Sequence, residues 1–370
     1  MEKKIICVML AVIMTTLVSC GEKKYIEKET DYKEIEETVT TAEEDTENKI
    51  SETVCENVVL NCEMLYPDSE IYEYRAEVKP YDGEQIYKYF YPNEGKEQWE
   101  VSEVDFLKSP YNEYRIQGTD GGRATISDYL YYCTGHWQYM RAFGPIDSEN
   151  EIGSGFPENE ELEFCSINEA EKQVQEFIRK CGYENAYVEK VYTLDHKIME
   201  EVESEAMAEG YVDAAKENDY TGKASWDETD DAYLFRMTCI IDGMPVDTFG
   251  YTKKDDSIIP GGKITVGYGA SGIEYVYTQA KFEVIEDTGR KVQLLPKDVI
   301  LNSLAKKYNL VITDAQVIFK DVHLIYFLIP VQGDIFQFDL VPAWQFTSEN
   351  SGYVDRVYIN AETGEELYKE

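Results

Sequence analysis

The sequence predicts an α+β fold in which antiparallel sheets pack with a few helices. Three observations lead to this prediction. Short segments alternate apolar and charged residues, as half-buried strands do. Several of these segments are joined by Gly- or Asn-containing turns that suit hairpins. The helical patterns are few and are separated by groups of strands, whereas a parallel α/β fold would alternate the two regularly.

The amino-terminal residues have the order of a bacterial lipoprotein signal peptide. Lys3 and Lys4 precede an apolar run over residues 5–18, and the lipobox is Leu17-Val18-Ser19-Cys20-Gly21. The run is shorter than the roughly 20 apolar residues of a permanent membrane-spanning helix. We therefore predict a signal peptide over residues 1–19 and a lipid on Cys20, which would anchor the chain on the extracytoplasmic face of the cell membrane. An ordinary signal peptide beside an unmodified cysteine is the alternative.

The remaining chain divides by composition into three parts. Residues 20–53 are mostly Lys, Glu, Asp and Thr, and they predict an acidic flexible tether, since such a segment buries too little apolar surface to fold. Residues 54–160 predict a mainly β amino-terminal domain. A stretch rich in Glu, Asn and Gly then precedes an α+β carboxy-terminal domain over residues 164–370.

Local patterns place the individual elements. Ser166 and Glu169 form a capping box ahead of a helix that ends near Gly182, and Pro296 opens another helix. A third helical pattern spans residues 198–210. Strands are expected over 72–79, 85–91, 99–106, 125–133, 186–193, 232–241, 246–251, 264–268, 273–285, 315–319, 323–331, 335–346 and 353–359.

Charge and cysteine content restrict the classes of partner. The chain has 35 basic and 73 acidic side chains, a formal charge of -38, so nucleic acids and anionic lipid surfaces would be repelled. Cations and basic peptides remain compatible with this charge. Beyond the signal peptide and Cys20, the cysteines are Cys55, Cys62, Cys133, Cys165, Cys181 and Cys239. They allow 15 disulfide pairings, and buried free thiols are equally compatible with the sequence.

No pattern of catalytic, cofactor-binding or metal-ligating residues stands above background. Residues 267–272 match GxGxxG, but a strand pattern follows where a dinucleotide site needs a helix, so we expect a hairpin turn. Ser154 lacks the spacing of a nucleophile elbow. The acidic residues 227–231 lack a calcium-loop pattern, which favours a solvated loop.

The three histidines are widely separated, and each suits a structural position. His136 is expected in a loop or at an edge, His196 at the start of a helix and His323 in a strand. The tyrosine-rich segment 86–91 suits either a groove for peptide or glycan or ordinary packing in a half-buried strand.

The carboxy-terminal half resembles uncharacterised lipoproteins of Gram-positive bacteria with a PepSY-like or regulator-type domain of unknown function. The matching segments are 239–246, 272–275, 294–296, 340–346 and 358–365, and Asn360 and Gly364 in the last suit a turn, while Trp344 suits a core. The resemblance implies binding or regulation at the cell surface, with no catalytic residues and no cofactor.

The sequence thus predicts a non-enzymatic extracytoplasmic lipoprotein that binds a protein or peptide at the cell envelope. A strand edge or an aromatic groove would supply the binding surface. The alternatives are an envelope hydrolase that acts on peptidoglycan or glycan through two carboxylates, and a solute-binding protein.

Overall fold

A computed structural model describes residues 51–91, 99–106, 109–118, 121–137, 156–184, 186–208, 225–252, 258–309, 316–334, 336–350 and 353–367. All of these residues lie in one compact unit, Asn48–Glu370. The predicted signal peptide, Cys20 and nearly all of the predicted tether lie outside the described residues, as does Ser154.

Nineteen strands and four α-helices form the described part of the chain. The strands are β1 (Glu52–Cys55), β2 (Val58–Leu60), β3 (Ile71–Val78), β4 (Trp99–Phe106), β5 (Ser109–Gln117), β6 (Arg123–Ile126), β7 (Leu130–Cys133), β8 (Ala186–Leu194), β9 (Ala232–Ile241), β10 (Met244–Pro245), β11 (Tyr251–Thr252), β12 (Ile258–Ile259), β13 (Lys263–Gly269), β14 (Gly272–Thr278), β15 (Phe282–Val292), β16 (Val317–Pro330), β17 (Gln337–Asn350), β18 (Tyr353–Asn360) and β19 (Glu366–Leu367). The helices are α1 (Gly83–Phe90), α2 (Ile167–Lys180), α3 (His196–Ala208) and α4 (Lys297–Asn309), and Glu228–Asp230 form a 3₁₀ turn.

The strands form two large sheets and one small pair. The first sheet runs β1-β2-β16-β17-β18-β19, with β3 beside one end of β17 and β15 beyond β3. The second runs β10-β9-β13-β14-β7-β6-β5-β4, with β8 also beside β9, and β11 pairs with β12. The named strand pairs are antiparallel except β2 with β16. The predicted α+β class with antiparallel sheets is therefore confirmed.

Both sheets contain strands from the two segments that were predicted as separate domains. In the first sheet, Ala76 of β3 lies opposite Phe338 of β17, and in the second, Tyr132 of β7 lies opposite Val276 of β14. The division predicted at residues 160–164 therefore does not separate the sheets. Local patterns specify strands, whereas the partner of a strand is fixed by packing with distant residues, which no local pattern records.

The segment predicted as a strand over residues 85–91 is instead the helix α1. Asp82 caps it, with Oδ1 accepting a hydrogen bond of 3.0 Å from the Gln85 amide. Ile86 and Tyr87 are buried on one side and Tyr89 is exposed, so the apolar positions have the helical period. The five apolar residues between 86 and 91 are so closely spaced that they fit both the strand period of two and the helical period of about 3.6. The capping residue, Asp82, is the sequence signal that favours the helix.

Most of the other predicted elements are present with shifted limits, whereas the strands β1, β2, β5, β10, β12 and β19 were not predicted. The Ser166 hydroxyl caps α2 by accepting from the Glu169 amide, as predicted. The predicted strand 125–133 is the hairpin β6–β7, and the predicted strand 273–285 is divided between β14 and β15. Of the predicted strand 246–251, only residue 251 lies in a named strand. Among the described residues, no helix combines the length and apolar content that crossing a bilayer requires.

One large core joins the two sheets and α2. It contains Phe338 and Leu340 of the first sheet, Phe235 and Val266 of the second sheet, and Ile178 of α2. A second core lies between α4 and the first sheet, and a third lies between α3 and the second sheet. The predicted core position of Trp344 is confirmed, because its side chain is fully buried against α4.

A buried polar contact also connects the sheets. The amide of Asp247, just after β10, donates to the Tyr326 carbonyl of β16 at 2.9 Å. The Asp247 carboxylate accepts from the Tyr358 hydroxyl at 3.2 Å and from Gln345 Nε2 at 3.3 Å, and all three side chains are buried. These donors pair with one oxygen of the carboxylate, which lowers the cost of burying this polar group between the sheets.

The GxGxxG segment is the predicted hairpin turn, between β13 and β14. Gly269 pairs with Gly272, whose positive φ of 99° completes the turn, and a strand follows. A Cβ on Gly267 would lie 2.4 Å from the Trp137 ring, which stacks on Tyr275. The motif therefore serves packing, because Gly267 gives room to the buried indole.

We expect Gly267→Ala to lower the free energy of unfolding by about 1–3 kcal/mol, because the new methyl group overpacks the indole site. In a Trp137→Leu background, the same substitution should cost less than about 1 kcal/mol, because the clashing ring is gone. Urea denaturation of the two single variants and the double variant measures this coupling. Equal costs in both backgrounds would contradict the packing role of Gly267.

Candidate functional site

The exposed side of α1 forms one wall of a surface cleft of about 520 Å³. Its lining residues are Asp82, Glu84, Gln85, Lys88, Tyr89 and Tyr114. Tyr89 is the tyrosine of the tyrosine-rich segment 86–91 that lies in the cleft, and 40% of its surface is exposed. The segment thus divides by the helical period, since Ile86, Tyr87 and Tyr91 are buried while Tyr89 faces the cleft.

Local contacts hold the two rings of the cleft in place. The Gln85 amide group donates to the Tyr89 hydroxyl at 3.4 Å, and Lys180 of α2 lies over the Tyr89 ring at 5.9 Å. A Cβ on Gly83 would lie 2.1 Å from the Tyr114 ring, so this ring packs directly against the first turn of α1. Two aromatic rings beside amide, ammonium and carboxylate groups suit a polar ligand.

A second group of polar residues lies at the turn end of the β13–β14 hairpin, around His136. The Nδ1 atom of His136 is 2.5 Å from Glu274 Oε2, and its Nε2 atom is 2.8 Å from Asp230 Oδ1. Both carboxylates are buried, and the histidine is one-third exposed. These two carboxylates raise the pKa of His136 to about 9, with Glu274 the stronger contributor.

The hairpin is shaped to admit this ion pair. A Cβ on Gly269 would lie 2.5 Å from Glu274 Oε1, so the absence of a side chain there leaves room for the carboxylate. The Glu274 carbonyl also accepts from the Thr134 amide at 2.9 Å. Because both ring nitrogens of His136 are engaged, the residue acts as a cationic link between β14 and the 3₁₀ turn, with no nitrogen available as a general base.

His196 forms a second histidine–carboxylate pair at the start of α3. Its Nδ1 atom and its backbone amide are both 2.8 Å from Asp231 Oδ1. Asp195 caps the helix, because its Oδ1 accepts from the Lys197 amide at 2.8 Å. Asp231, a hydrogen-bond acceptor, raises the pKa of His196 above its ordinary value.

The prediction of a solvated loop over residues 227–231 is wrong for Asp230 and Asp231. Asp230 is 1% exposed and Asp231 is 6% exposed. The 3₁₀ turn caps itself, since Asp230 Oδ2 accepts from the Asp227 amide at 2.9 Å, and each buried carboxylate has a histidine partner. Burial is possible because these partners replace the lost hydration.

The histidine positions predicted from sequence agree with the structure. His136 follows β7 in a turn, His196 begins α3, and His323 lies in β16, where it is 2.8 Å from Asp321. Their carboxylate partners were missed. His136 is separated by 94 residues from Asp230 and by 138 from Glu274, so no local spacing marks the cluster. Asp195 and His196 are the exception, because an aspartate directly before a helix is a recognisable capping residue in the sequence.

The six cysteines of the folded part are free thiols. Burial raises the pKa of Cys239 to about 12 and that of Cys62 to about 11, and it also raises the pKa of Cys181. These groups are neutral thiols near pH 7, which disfavours their action as nucleophiles.

Comparisons with known proteins show the fold. No protein-family model matches the chain, and no curated protein matches it. A solved structure of an uncharacterized protein from Eubacterium rectale ATCC 33656 is similar over 87% of this chain and 93% of that one, with 15% identity and a TM-score of 0.61. The C-terminal domain of YpeB from Bacillus megaterium aligns over 76% of this chain and 92% of that one, with 10% identity and a TM-score of 0.29. The first likeness establishes a shared fold.

The contacts of His136 with its two carboxylates predict that the free energy of unfolding depends on pH. A folded-state pKa near 9, above the ordinary 6.5, means that this stabilisation is fully present below pH 6.5 and is lost as the pH rises through 9. Relative to the His136→Gln variant, the wild-type free energy of unfolding should fall by about 1–2 kcal/mol between pH 6 and 10. This fall is smaller than the full pKa shift of His136 implies, because solvent screens a partly exposed group. Urea denaturation across this range measures it, and a constant difference would contradict the assignment.

Proposed function

We propose that the chain is a non-enzymatic binding or regulatory module, held at the outer face of a bacterial membrane by a lipid on Cys20, that takes a polar peptide or glycan in the α1 cleft. The observation that carries this proposal is the cleft itself, in which Tyr89 and Tyr114 lie beside Gln85 and Lys88. Its volume of about 520 Å³ falls within the range of about 300–1,000 Å³ typical of small-ligand sites.

The chemistry of the cleft favours recognition over hydrolysis. None of its six lining residues is Ser, Cys or His. One oxygen of Asp82 already accepts the capping hydrogen bond of α1, which ties this carboxylate to the backbone. Ring faces and planar amide groups bind sugar rings and peptide groups by stacking and hydrogen bonding. Cleavage of a glycan would need two carboxylates placed on either side of the scissile bond, and of the two in the cleft, Asp82 and Glu84, the first is engaged in this cap.

The edge of the first sheet is a less suitable binding surface. Residues 283–291 of β15 are all exposed, and β15 pairs only with β3 among the described strands. The register shifts twice along this pair, and Arg290 and Lys291 form ion pairs with Glu73 and Glu70. Bulges and charged side chains are the means by which edge strands resist the addition of another strand. We therefore favour the cleft over strand addition.

The carboxy-terminal segment supports the finer proposal of a PepSY-like unit. β18 ends at Asn360, whose side chain accepts from the amides of Glu362 and Thr363. Gly364 follows with a φ of 71°, and β19 then pairs with β18. This is the strand–turn ending that the sequence resemblance implied.

We expect soluble muropeptides, which contain both sugar and peptide, to bind the full chain through the cleft. Tyr89→Ala should weaken binding by at least about fivefold, because a stacked ring contributes about 1–3 kcal/mol, whereas Tyr89→Phe should retain most of the affinity. Isothermal titration calorimetry measures both variants.

Tyr66→Ala is the matched control, because Tyr66 is similarly exposed, at 37%, but packs against Trp344. An equal loss in this control would contradict a role for the cleft. Cleavage of the muropeptide by the wild type, abolished in Glu84→Gln, would replace the binding proposal with the hydrolase alternative.

The anchor is tested separately from the cleft. In bacterial cells, Cys20→Ala should move the protein from the membrane fraction to the soluble extracytoplasmic fraction, because the thiol that accepts the lipid is absent. Mass spectrometry of the amino-terminal peptide should show the added acyl mass in the wild type alone. An unmodified wild-type peptide would rule out lipid anchoring at this cysteine.

A further inference from the structure

Three side chains at the start of α3 bring metal-ligating atoms together. Asp195, His196 and Asp231 each place one such atom within 4.8 Å of the other two. Two come from the cap of α3, and the third comes from the residue before β9. The set combines one imidazole with two carboxylates, which are ligands for divalent first-row transition metals.

The distances between these atoms agree with coordination of one ion. His196 Nδ1 is 2.8 Å from the nearer oxygen of Asp231 and 4.0 Å from that of Asp195. Ligands about 2.1 Å from a tetrahedral zinc ion are about 3.4 Å apart, between the two observed values. Small rotations of the three side chains are therefore sufficient to enclose an ion.

The buried carboxylate has an oxygen that the protein leaves available. More than nine-tenths of the Asp231 side chain is buried, and both of its hydrogen bonds, from the His196 amide and ring, go to Oδ1. Within the described part of the chain, no hydrogen bond reaches its Oδ2. The same holds for Asp195 Oδ2, since the Lys197 amide bonds to Oδ1. Among the described residues, each carboxylate therefore keeps a second oxygen that is available to an ion.

The backbone holds this ligand set in position. One backbone amide fixes each carboxylate, that of Lys197 for Asp195 and that of His196 for Asp231. Such outer contacts orient ligands before an ion arrives. The site differs from the His136 pair, in which carboxylates engage both ring nitrogens.

We propose that Asp195, His196 and Asp231 bind one divalent transition-metal ion such as Zn²⁺, which clamps the start of α3 to the start of β9. The ion replaces the proton between His196 Nδ1 and Asp231, and this proton leaves to solvent. Water completes the coordination. This proposal is independent of ligand binding in the α1 cleft.

Calorimetric titration of the full chain with Zn²⁺, in a large excess of Ca²⁺ to occupy exposed carboxylates, tests the site. We expect one zinc ion per chain and an increase in melting temperature upon binding. Asp195→Asn and Asp231→Asn should each weaken zinc binding by at least about tenfold, because an amide oxygen is a poorer ligand than a carboxylate. Both variants retain an oxygen for the backbone hydrogen bond, which preserves the fold.

Asp227→Asn is the matched control, because Asp227 is an exposed carboxylate in the same turn and asparagine caps equally well. Its zinc affinity should stay within about twofold of the wild type. If Asp231→Asn melts at a lower temperature without metal, Asp195→Asn decides the result. Absence of zinc binding by the wild type, or unchanged affinity in both ligand variants, would overturn the proposal.

Discussion

The rest of the structure depends on the insertion of β3 between β15 and β17. Residues 71–78 thereby pair with strands more than 200 residues later in the chain. Directly after β3, the buried Tyr81 hydroxyl bonds to Thr278 at 2.7 Å and to Tyr183, which donates to the Ala280 carbonyl. One early segment thus connects both sheets, so the closure of this long loop must accompany formation of the core.

This constraint also positions the candidate sites. α1 follows β3 directly, and its buried side packs with the second sheet and α2, as the ring contacts of Phe90 with Tyr132 and Phe177 show. The opposite side of α1 is then free to line the cleft. A site on a helix that packs against a sheet and a second helix is held more rigidly than one on a loop, which lowers the entropic cost of binding.

The sequence patterns predicted features that are encoded within a few neighbouring residues, and they missed contacts between residues far apart in the chain. The Ser166 cap of α2, the hairpin at Gly272 and the turn at Gly364 are encoded within a few residues, and all three were predicted correctly. The helix α1 was missed, because its tyrosines suit strands while the decisive cap, Asp82, lies just before them. The partners of His136 lie in other elements, so only the assembled sheets bring them together.

The two histidine pairs illustrate how similar groups acquire different roles. Asp230 and Asp231 are adjacent, but Asp230 ends the 3₁₀ turn and Asp231 begins the extended backbone that leads into β9, and each reaches a different histidine. His136 is enclosed between two carboxylates and has no ring nitrogen left for chemistry. His196 Nδ1 is 2.8 Å from an oxygen of Asp231 and 4.0 Å from an oxygen of Asp195. A proton on Nδ1 can form a hydrogen bond with the nearer carboxylate alone. A divalent ion satisfies both carboxylates, which is why the metal site belongs to His196.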